Sequence, residues 1–402
     1  MGAVDERHAV EEEEPLFGSH QGGTGEQGWG GGKRNSGRVG CGVGWDGVRR
    51  PRLPWGGNGE SAGVMTPRVS VLTTLYNCRR FIGAAVESVL GQSEGDWEMV
   101  VCDDGSSDGS AEVVEAVGDP RVRLVRHGEN MGVTAALRTC ARAARGRYFA
   151  VLESDDVAMP GRLARQAEWL DGHPEVDAVF GRAELIGEDG AVLAADDGFR
   201  GVFAEGERTR EEWLRWFFEK GNCVCWSTVM YRREMYERTG VERVAFQLLP
   251  DFDLWVRLAL RGRFGMLEET VTAYRRVAGS LSVVTPERLA AIAAEQAAVL
   301  RHFASEEGIR AVTGRDDSGP LARLELARMA LGVASVAHRA FAVELLLETD
   351  LSGCGEEEAA EFLRVARPIL KESDVYQKLK VARLSRERDK YREQVAARRQ
   401  RS

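Results

Sequence analysis

No run in this chain of 402 residues approaches the ~20 continuous apolar residues of a membrane-spanning helix, which sets an integral membrane protein aside. A basic excess is missing as well. Lys and Arg number 54 against 63 Asp and Glu, for a net charge of −9, whereas nucleic-acid binders normally carry a clear positive surplus; no nucleic-acid partner is expected. Cysteine is sparse: seven residues, an odd number with no CxxC pair, fit reduced thiols better than a disulfide frame or a zinc site. Cys223 and Cys225 stand close together but lack an accompanying His or third Cys. No GxGxxG follows the first apolar run and no GxxxxGK[ST] is present, which argues against dinucleotide-dependent oxidoreductases and P-loop enzymes. Met1 to Pro15 is acidic without a hydrophobic stretch, so no secretory signal is read there. These absences point to a cytoplasmic protein with room for about two domains.

Apolar periodicity is itself missing from residues 1–65, which combine the acidic run Glu11 to Glu14 with the Gly-rich pieces Gly30-Gly31-Gly32 and Gly56-Gly57. Such a segment cannot bury enough surface to offset its ordering entropy, so it reads as disordered and of low complexity. Met65-Thr66-Pro67-Arg68 then leads straight into a strand, as a true start would, and residues 1–64 are read as a misassigned upstream segment.

From Arg68 the pattern alternates. Val69 to Thr73, Trp97 to Cys102, Val122 to Val125 and Tyr148 to Leu152 read as buried strands, and the segments between them carry helical periodicity. Asn77 is placed to cap the first of those helices, whose apolar face runs Phe81, Ile82, Ala85, Val86, Val89 and Leu90. Strands alternating with helices imply right-handed βαβ units and a mainly parallel sheet, with ligands beyond the carboxyl ends of the strands. After Gly181 the pattern turns α+β, with a hairpin around Gly187 to Gly190; residues 283–370 read as helices and 371–402 as a basic helical tail. That tail fits a solvated helix or short coiled coil, with self-association or contact with anionic lipid as the alternatives.

Two acidic clusters fall at strand ends: Asp103-Asp104-Gly105-Ser106-Ser107-Asp108 and Glu153-Ser154-Asp155-Asp156. Asp is disfavoured in strands, and adjacent like charges repel unless a cation lies between them. A divalent metal with a phosphate-bearing ligand would supply that charge, and Mg²⁺ or Mn²⁺ prefers oxygen ligands. Turn formation or helix capping is the competing explanation.

The run Val69-Ser70-Val71-Leu72-Thr73-Thr74-Leu75-Tyr76-Asn77 resembles the first strand and turn of family 2 glycosyltransferases, which have the GT-A nucleotide-sugar-binding fold. The resemblance continues through Ser88-Val89-Leu90-Gly91-Gln92-Ser93, the Asp103 to Asp108 cluster, Asn130-Met131-Gly132, Ala143-Ala144-Arg145-Gly146, and Ser154-Asp155-Asp156 with Pro160-Gly161-Arg162-Leu163. It covers residues 66–282 and rests on the order and spacing of these motifs rather than on any one of them. It implies that Thr74 and Tyr76 shape the nucleotide pocket, and that Asp104, with Asp103 beside it, accepts the imide hydrogen of uracil. It likewise assigns Asp155 and Asp156 to the metal and diphosphate, with Asp156 the direct ligand. Arg162 is either a further phosphate contact or a surface helix residue. Pro250-Asp251-Phe252-Asp253-Leu254-Trp255 resembles the family's acidic motif below the acceptor site, with Asp251 as general base and Trp255 as a wall; an N-cap is the alternative for Asp251. Two departures stand out. Pro250 occupies a position where many relatives have Glu, and Tyr274-Arg275-Arg276 is followed by Val277 rather than a His. Arg275 and Arg276 are expected at the diphosphate instead.

The resemblance implies an inverting, metal-assisted transfer from a nucleotide-diphosphate sugar, favouring UDP, to a hydroxyl on a saccharide or lipid-linked glycan, at the inner face of the membrane if peripheral. A non-catalytic nucleotide-sugar or glycan-binding relative is the alternative. For the start at Met65, mass spectrometry of protein from the native source is expected to return no peptide from residues 1–60; one such peptide would overturn it.

Overall fold

A computed structural model describes residues 66–193, 206–239, 243, 245–278, 280 and 285–372. The low-complexity segment and nearly all of the basic tail lie outside the described residues.

The first half is built as β1 (Val69–Leu75), α1 (Arg79–Leu90), β2 (Trp97–Asp103), α2 (Ser110–Glu115), β3 (Val122–Arg126), α3 (Val133–Ala143) and β4 (Tyr148–Val151). These four strands are parallel in the order β3-β2-β1-β4. Then come β5 (Val157–Ala158), α4 (Arg162–Gly172), β6 (Ala178–Ile186), α5 (Arg210–Lys220), β7 (Met230–Arg232), α6 (Arg233–Thr239), α7 (Pro250–Arg261) and β8 (Phe264–Arg275). They extend the sheet to β3-β2-β1-β4-β7-β6-β8-β5, where β7 is antiparallel to both neighbours and β6 is parallel to β8. The parallel expectation therefore holds for the first half, and the second half is mixed. The turn at 187–190 closes as expected, with Gly187 N–H on Ala191 O at 2.8 Å and Leu193 N–H on Leu185 O at 2.9 Å.

The central strands are buried on both faces, which is why they read as continuous apolar runs. Val71, Met99 and Ala150 face α1 and α4, whereas Leu72, Val100 and Phe149 face α3 and the helices beyond it. Gly146, in the turn before β4, passes so close to β1 that a Cβ there would lie 2.5 Å from Ser70 N. Asn77 does not cap α1. It takes a left-handed φ of 46° and ties its side chain to Ser107 N–H at 2.9 Å. The exposed N–H groups at the start of α1 are met from the acidic turn instead: Ser110 Oγ accepts from Cys78 and Asp108 Oδ2 from Arg79, each at 2.9 Å.

The chain continues in helices α8 (Pro286–Leu300), α9 (Glu306–Thr313), α10 (Pro320–Gly332), α11 (Val336–Glu348) and α12 (Glu356–Glu372). One hydrophobic cluster runs from Leu72 and Phe149 through Trp213, Phe217 and Phe252 to Phe303, Phe341 and Ala366, so these helices share the core of the sheet's helical layer. Among the described residues no helix is long and apolar enough to cross a membrane.

Candidate active site

Strand order reverses at β1, since β2 lies on one side and β4 on the other. Such a reversal opens a crevice at the carboxyl ends of the strands. Thr74 closes its floor: its hydroxyl donates to Glu153 Oε2 at 2.7 Å, joining the end of β1 to the end of β4. Tyr76, just past β1, is half exposed at the rim.

The two aspartates ending β2 have different tasks. Asp104 is fully engaged: Oδ1 accepts from His127 Nδ1 at 2.7 Å and Met131 N–H at 2.9 Å, and Oδ2 from Gly132 N–H at 2.8 Å. It anchors the loop after β3. Gly105 makes that loop's approach possible, because it has φ 77° and a Cβ there would meet the backbone of Glu129 at 2.8 Å. Asp103 is less committed, accepting from Ser106 N–H at 3.2 Å.

Beyond β4 the chain turns through Glu153, Asp155 and Asp156. Asp156 is buried; Oδ1 accepts from Arg275 N–H at 2.8 Å, while Oδ2 is buried without a hydrogen-bond partner among the described residues. Ser227 Oγ fixes the turn from the other side by accepting from Glu153 N–H at 3.0 Å. Asp251 is the second residue of α7, one position inside the helix, so it is not the N-cap. Asn222 Nδ2 holds its Oδ2 at 2.6 Å.

Burial, together with mutual repulsion, raises the pKa of these carboxylates. Burial and the nearby Asp155 and Asp251 charges push Glu153 up to about 7, and burial pushes Asp251 up to about 6. Asp156 is pushed well above the carboxylate range by burial and by Asp155. The site thus gathers negative charge that a bound cation would relieve. The donor chemistry fits a hard divalent ion: carboxylate oxygens, one of them orphaned. No group of three or more potential metal ligands converges among the described residues, so a divalent ion held here would need further oxygen ligands beyond these carboxylates.

Four residues expected at the site lie as follows. Arg162 is neither at the surface nor in the crevice. It lies buried beneath the acidic turn with its guanidinium on Gln166 Oε1, Thr272 Oγ1, Val151 O and Val229 O, and burial lowers its pKa to about 10. Arg275 braces the turn, donating to Asp155 O at 2.8 Å and Gly187 O at 2.9 Å while it lies over the Phe81 ring. Arg276 follows it and donates its N–H to Ile186 O at 2.9 Å. Trp255 packs edge-on against Phe180 in the core and walls nothing. Sequence reasoning missed Glu153, Asn222, Ser227 and His127 as site residues. Only Glu153, contiguous with the acidic motif, carried a signal.

Residues 70–240 match the family model described as Glycosyl transferase family 2. TuaG of Bacillus subtilis, whose name places it in teichuronic acid biosynthesis, is 33% identical over 221 residues, 54% of this chain and 82% of that one. ExoO of Rhizobium meliloti, a succinoglycan biosynthesis protein, is 32% identical over 249 residues, 59% of this chain and 69% of that one. WfaP of Escherichia coli, a UDP-Glc:alpha-D-GlcNAc-diphosphoundecaprenol beta-1,3-glucosyltransferase, is 28% identical over 217 residues, 53% of this chain and 79% of that one. The α/β body with its acidic strand ends is that of a sugar-transferring enzyme of GT-A fold. The chain belongs to glycosyl transferase family 2.

Arg162→Met removes four buried hydrogen bonds, each worth ~0.5–1.5 kcal/mol, and is expected to lower the unfolding free energy by about 2–6 kcal/mol in denaturant melts. Unchanged stability with weakened nucleotide binding would return Arg162 to the diphosphate.

Proposed function

We propose that this glycosyltransferase moves a sugar from UDP to a hydroxyl of a saccharide or lipid-linked glycan, inverting the anomeric configuration in a single displacement. The observation that carries the reading is that Asp251, held by Asn222, lies in the field of the same acidic crevice that ends β1 and β4. Asp251 takes the proton from the acceptor hydroxyl as that oxygen attacks the anomeric carbon, and the bond to the diphosphate breaks on the opposite face. A base poised near pH 6 suits that task, since it is ionised at neutral pH yet basic enough to accept a proton. Because attack and departure occur on opposite faces, one displacement inverts the centre.

On the donor side, Asp103 is the better imide partner for uracil, because both oxygens of Asp104 are occupied by the loop after β3. Tyr76 at the rim stacks on the base, and Thr74 shapes the floor beneath it. Asp156, through its orphaned Oδ2, and Asp155 would hold Mg²⁺ or Mn²⁺, which when bound offsets charge on the leaving diphosphate. Arg275, braced against Asp155, and Arg276 add positive charge to the same side. The relative WfaP uses UDP-Glc and a diphosphoundecaprenol-linked acceptor by its name, which supports the donor class and a lipid-linked acceptor here.

Calorimetric titration of UDP, GDP and CDP with and without Mn²⁺ is expected to show UDP binding that requires the metal and vanishes in Asp156→Ala. If no nucleotide binds under either condition, the donor reading fails. Asp251→Asn is expected to lose about 10²–10⁴ in kcat for UDP-sugar hydrolysis while UDP still binds. In the wild type, protonation of Asp251 below about pH 6 is expected to shut the reaction down as pH falls. Retained hydrolysis in Asp251→Asn would remove it as the base.

A further inference from the structure

The segment that delivers Asp251 is held from far along the chain. Gln247, Leu248 and Leu249 precede α7, and their three successive N–H groups converge on one side chain, Glu295 of α8. Oε1 accepts from Gln247 at 2.9 Å, and Oε2 from Leu248 at 2.9 Å and Leu249 at 2.8 Å. A carboxylate cradled by consecutive backbone donors is a strong, directional anchor. Leu249, the N-cap of α7, offers no capping side chain and Pro250 has no N–H; the local contribution is Asp251 Oδ1, which accepts from Phe252 N–H at 2.8 Å.

A second tie lies one half-turn further on. Asp253 is fully buried, and its Oδ1 accepts from His302 Nε2 at 2.9 Å, in the 3-10 turn Arg301–Ala304 that follows α8; its Oδ2 accepts from Arg257 Nε at 2.8 Å. Asp251 thus sits between two anchors supplied by the helical region. The opposite edge of the segment meets the nucleotide side of the crevice. Thr134 Oγ1 donates to Phe246 O at 3.0 Å, and the Gln247 side chain lies so close to Gly132 that a Cβ there would be 2.8 Å from Oε1.

We propose that Glu295 is a positioning residue for sugar transfer: by gripping the backbone of residues 247–249 it sets where the Asp251 carboxylate stands, which makes the helices after residue 285 part of the active site. The inference rests on the reading of Asp251 as the base. A kcat loss of ten- to hundredfold is the scale expected from displacing a catalytic group by about 1 Å.

Glu295 also acts through charge. The groups whose charges bear on Asp251 are Glu153 at the end of β4, Cys225 before the short turn Trp226–Thr228, and Glu295 itself; Asn222 contributes a neutral donor. Burial keeps the Cys225 thiol protonated, and Glu153, pushed up to about 7, is protonated below that pH, so the negative field over the acid limb comes from Glu295. Burial is the main reason that Asp251 holds its proton, and Glu295 adds to it. Removing the Glu295 charge favours ionised Asp251 and moves the acid limb of the rate profile to lower pH.

The test uses the full chain and the UDP-sugar that the wild type hydrolyses fastest among UDP-glucose, UDP-galactose and UDP-N-acetylglucosamine. Glu295→Gln keeps side-chain volume and one acceptor oxygen. It is expected to lower kcat ten- to hundredfold, leave KM for the donor and UDP binding within about twofold, and shift the acid limb downward. If that variant does not fold, Glu295→Asp, which shortens the reach but keeps the charge, is expected to show the kcat loss with the acid limb unmoved. Wild-type kcat in whichever variant folds overturns the proposal, as does a Glu295→Gln variant that merely melts earlier with kinetics unchanged. Asp251→Asn run alongside separates the two readings: if it is inactive while Glu295→Gln is normal, only the role of Glu295 fails; if it is active, the base assignment fails first.

Discussion

The hydrogen bond from Thr74 to Glu153 joins β1 to β4, where strand order reverses in the parallel half of the sheet, and the rest of the site is arranged around it. A parallel sheet brings the carboxyl ends of its strands to one edge, and a reversal separates two neighbouring loops enough to admit a ligand. Here Asn77 in the loop after β1 accepts from Ser107 N–H in the acidic turn after β2, and the loop after β4 leads into Asp155 and Asp156. The ladder between β1 and β4 fixes their spacing as far as Leu72 and Val151, and the Thr74–Glu153 bond carries it past the end of the ladder into the two loops. The tie itself needs a buried carboxyl, and Glu153 is held where burial and its acidic neighbours favour the protonated form.

That cost is met from below and behind rather than within the crevice. Arg162 lies under the acidic turn with its bonds spent on interior acceptors, so it contributes positive potential without offering a hand to a ligand. Arg275 works similarly from the end of β8: its backbone N–H takes one oxygen of Asp156 and its side chain takes the carbonyl of Asp155. The cations stiffen the turn while leaving Asp156 Oδ2 without a hydrogen-bond partner among the described residues. Preorganised carboxylates of this kind favour a cationic ligand, since the repulsion has already been built into the folded state.

Much of this was legible in the sequence because local rules decided it. The buried strands followed from β-branched runs, and the acidic clusters at their ends followed from the order of motifs around Asp103 and Asp155. What the sequence concealed depended on contacts between distant segments. Asn77 had the right chemistry for a cap, yet Asp108 and Ser110, some thirty residues away, meet the first turn of α1 instead. Arg162 read as a phosphate contact or a helix-surface residue because nothing nearby announced Thr272, its partner 110 positions on. Asp104 matched the uracil position, but its partners His127, Met131 and Gly132 come from the loop after a different strand. Asp253 gave no hint of His302 for the same reason.

The helical region is the clearest case of function resting on tertiary contact. Its apolar residues join the cluster that backs the sheet, so docking is driven by burial and would occur whatever lay at the helix surface. Burial alone fixes position only loosely, because apolar contact is non-directional. Directional precision comes from two polar groups set into that interface, Glu295 on the backbone before α7 and His302 on Asp253. Both act within a few residues of Asp251, whereas Asp103 and Asp156 are held by contacts inside the α/β half. On the proposed reading of Asp251 as the base, the position of that carboxylate is therefore set by the helix that grips the backbone before α7.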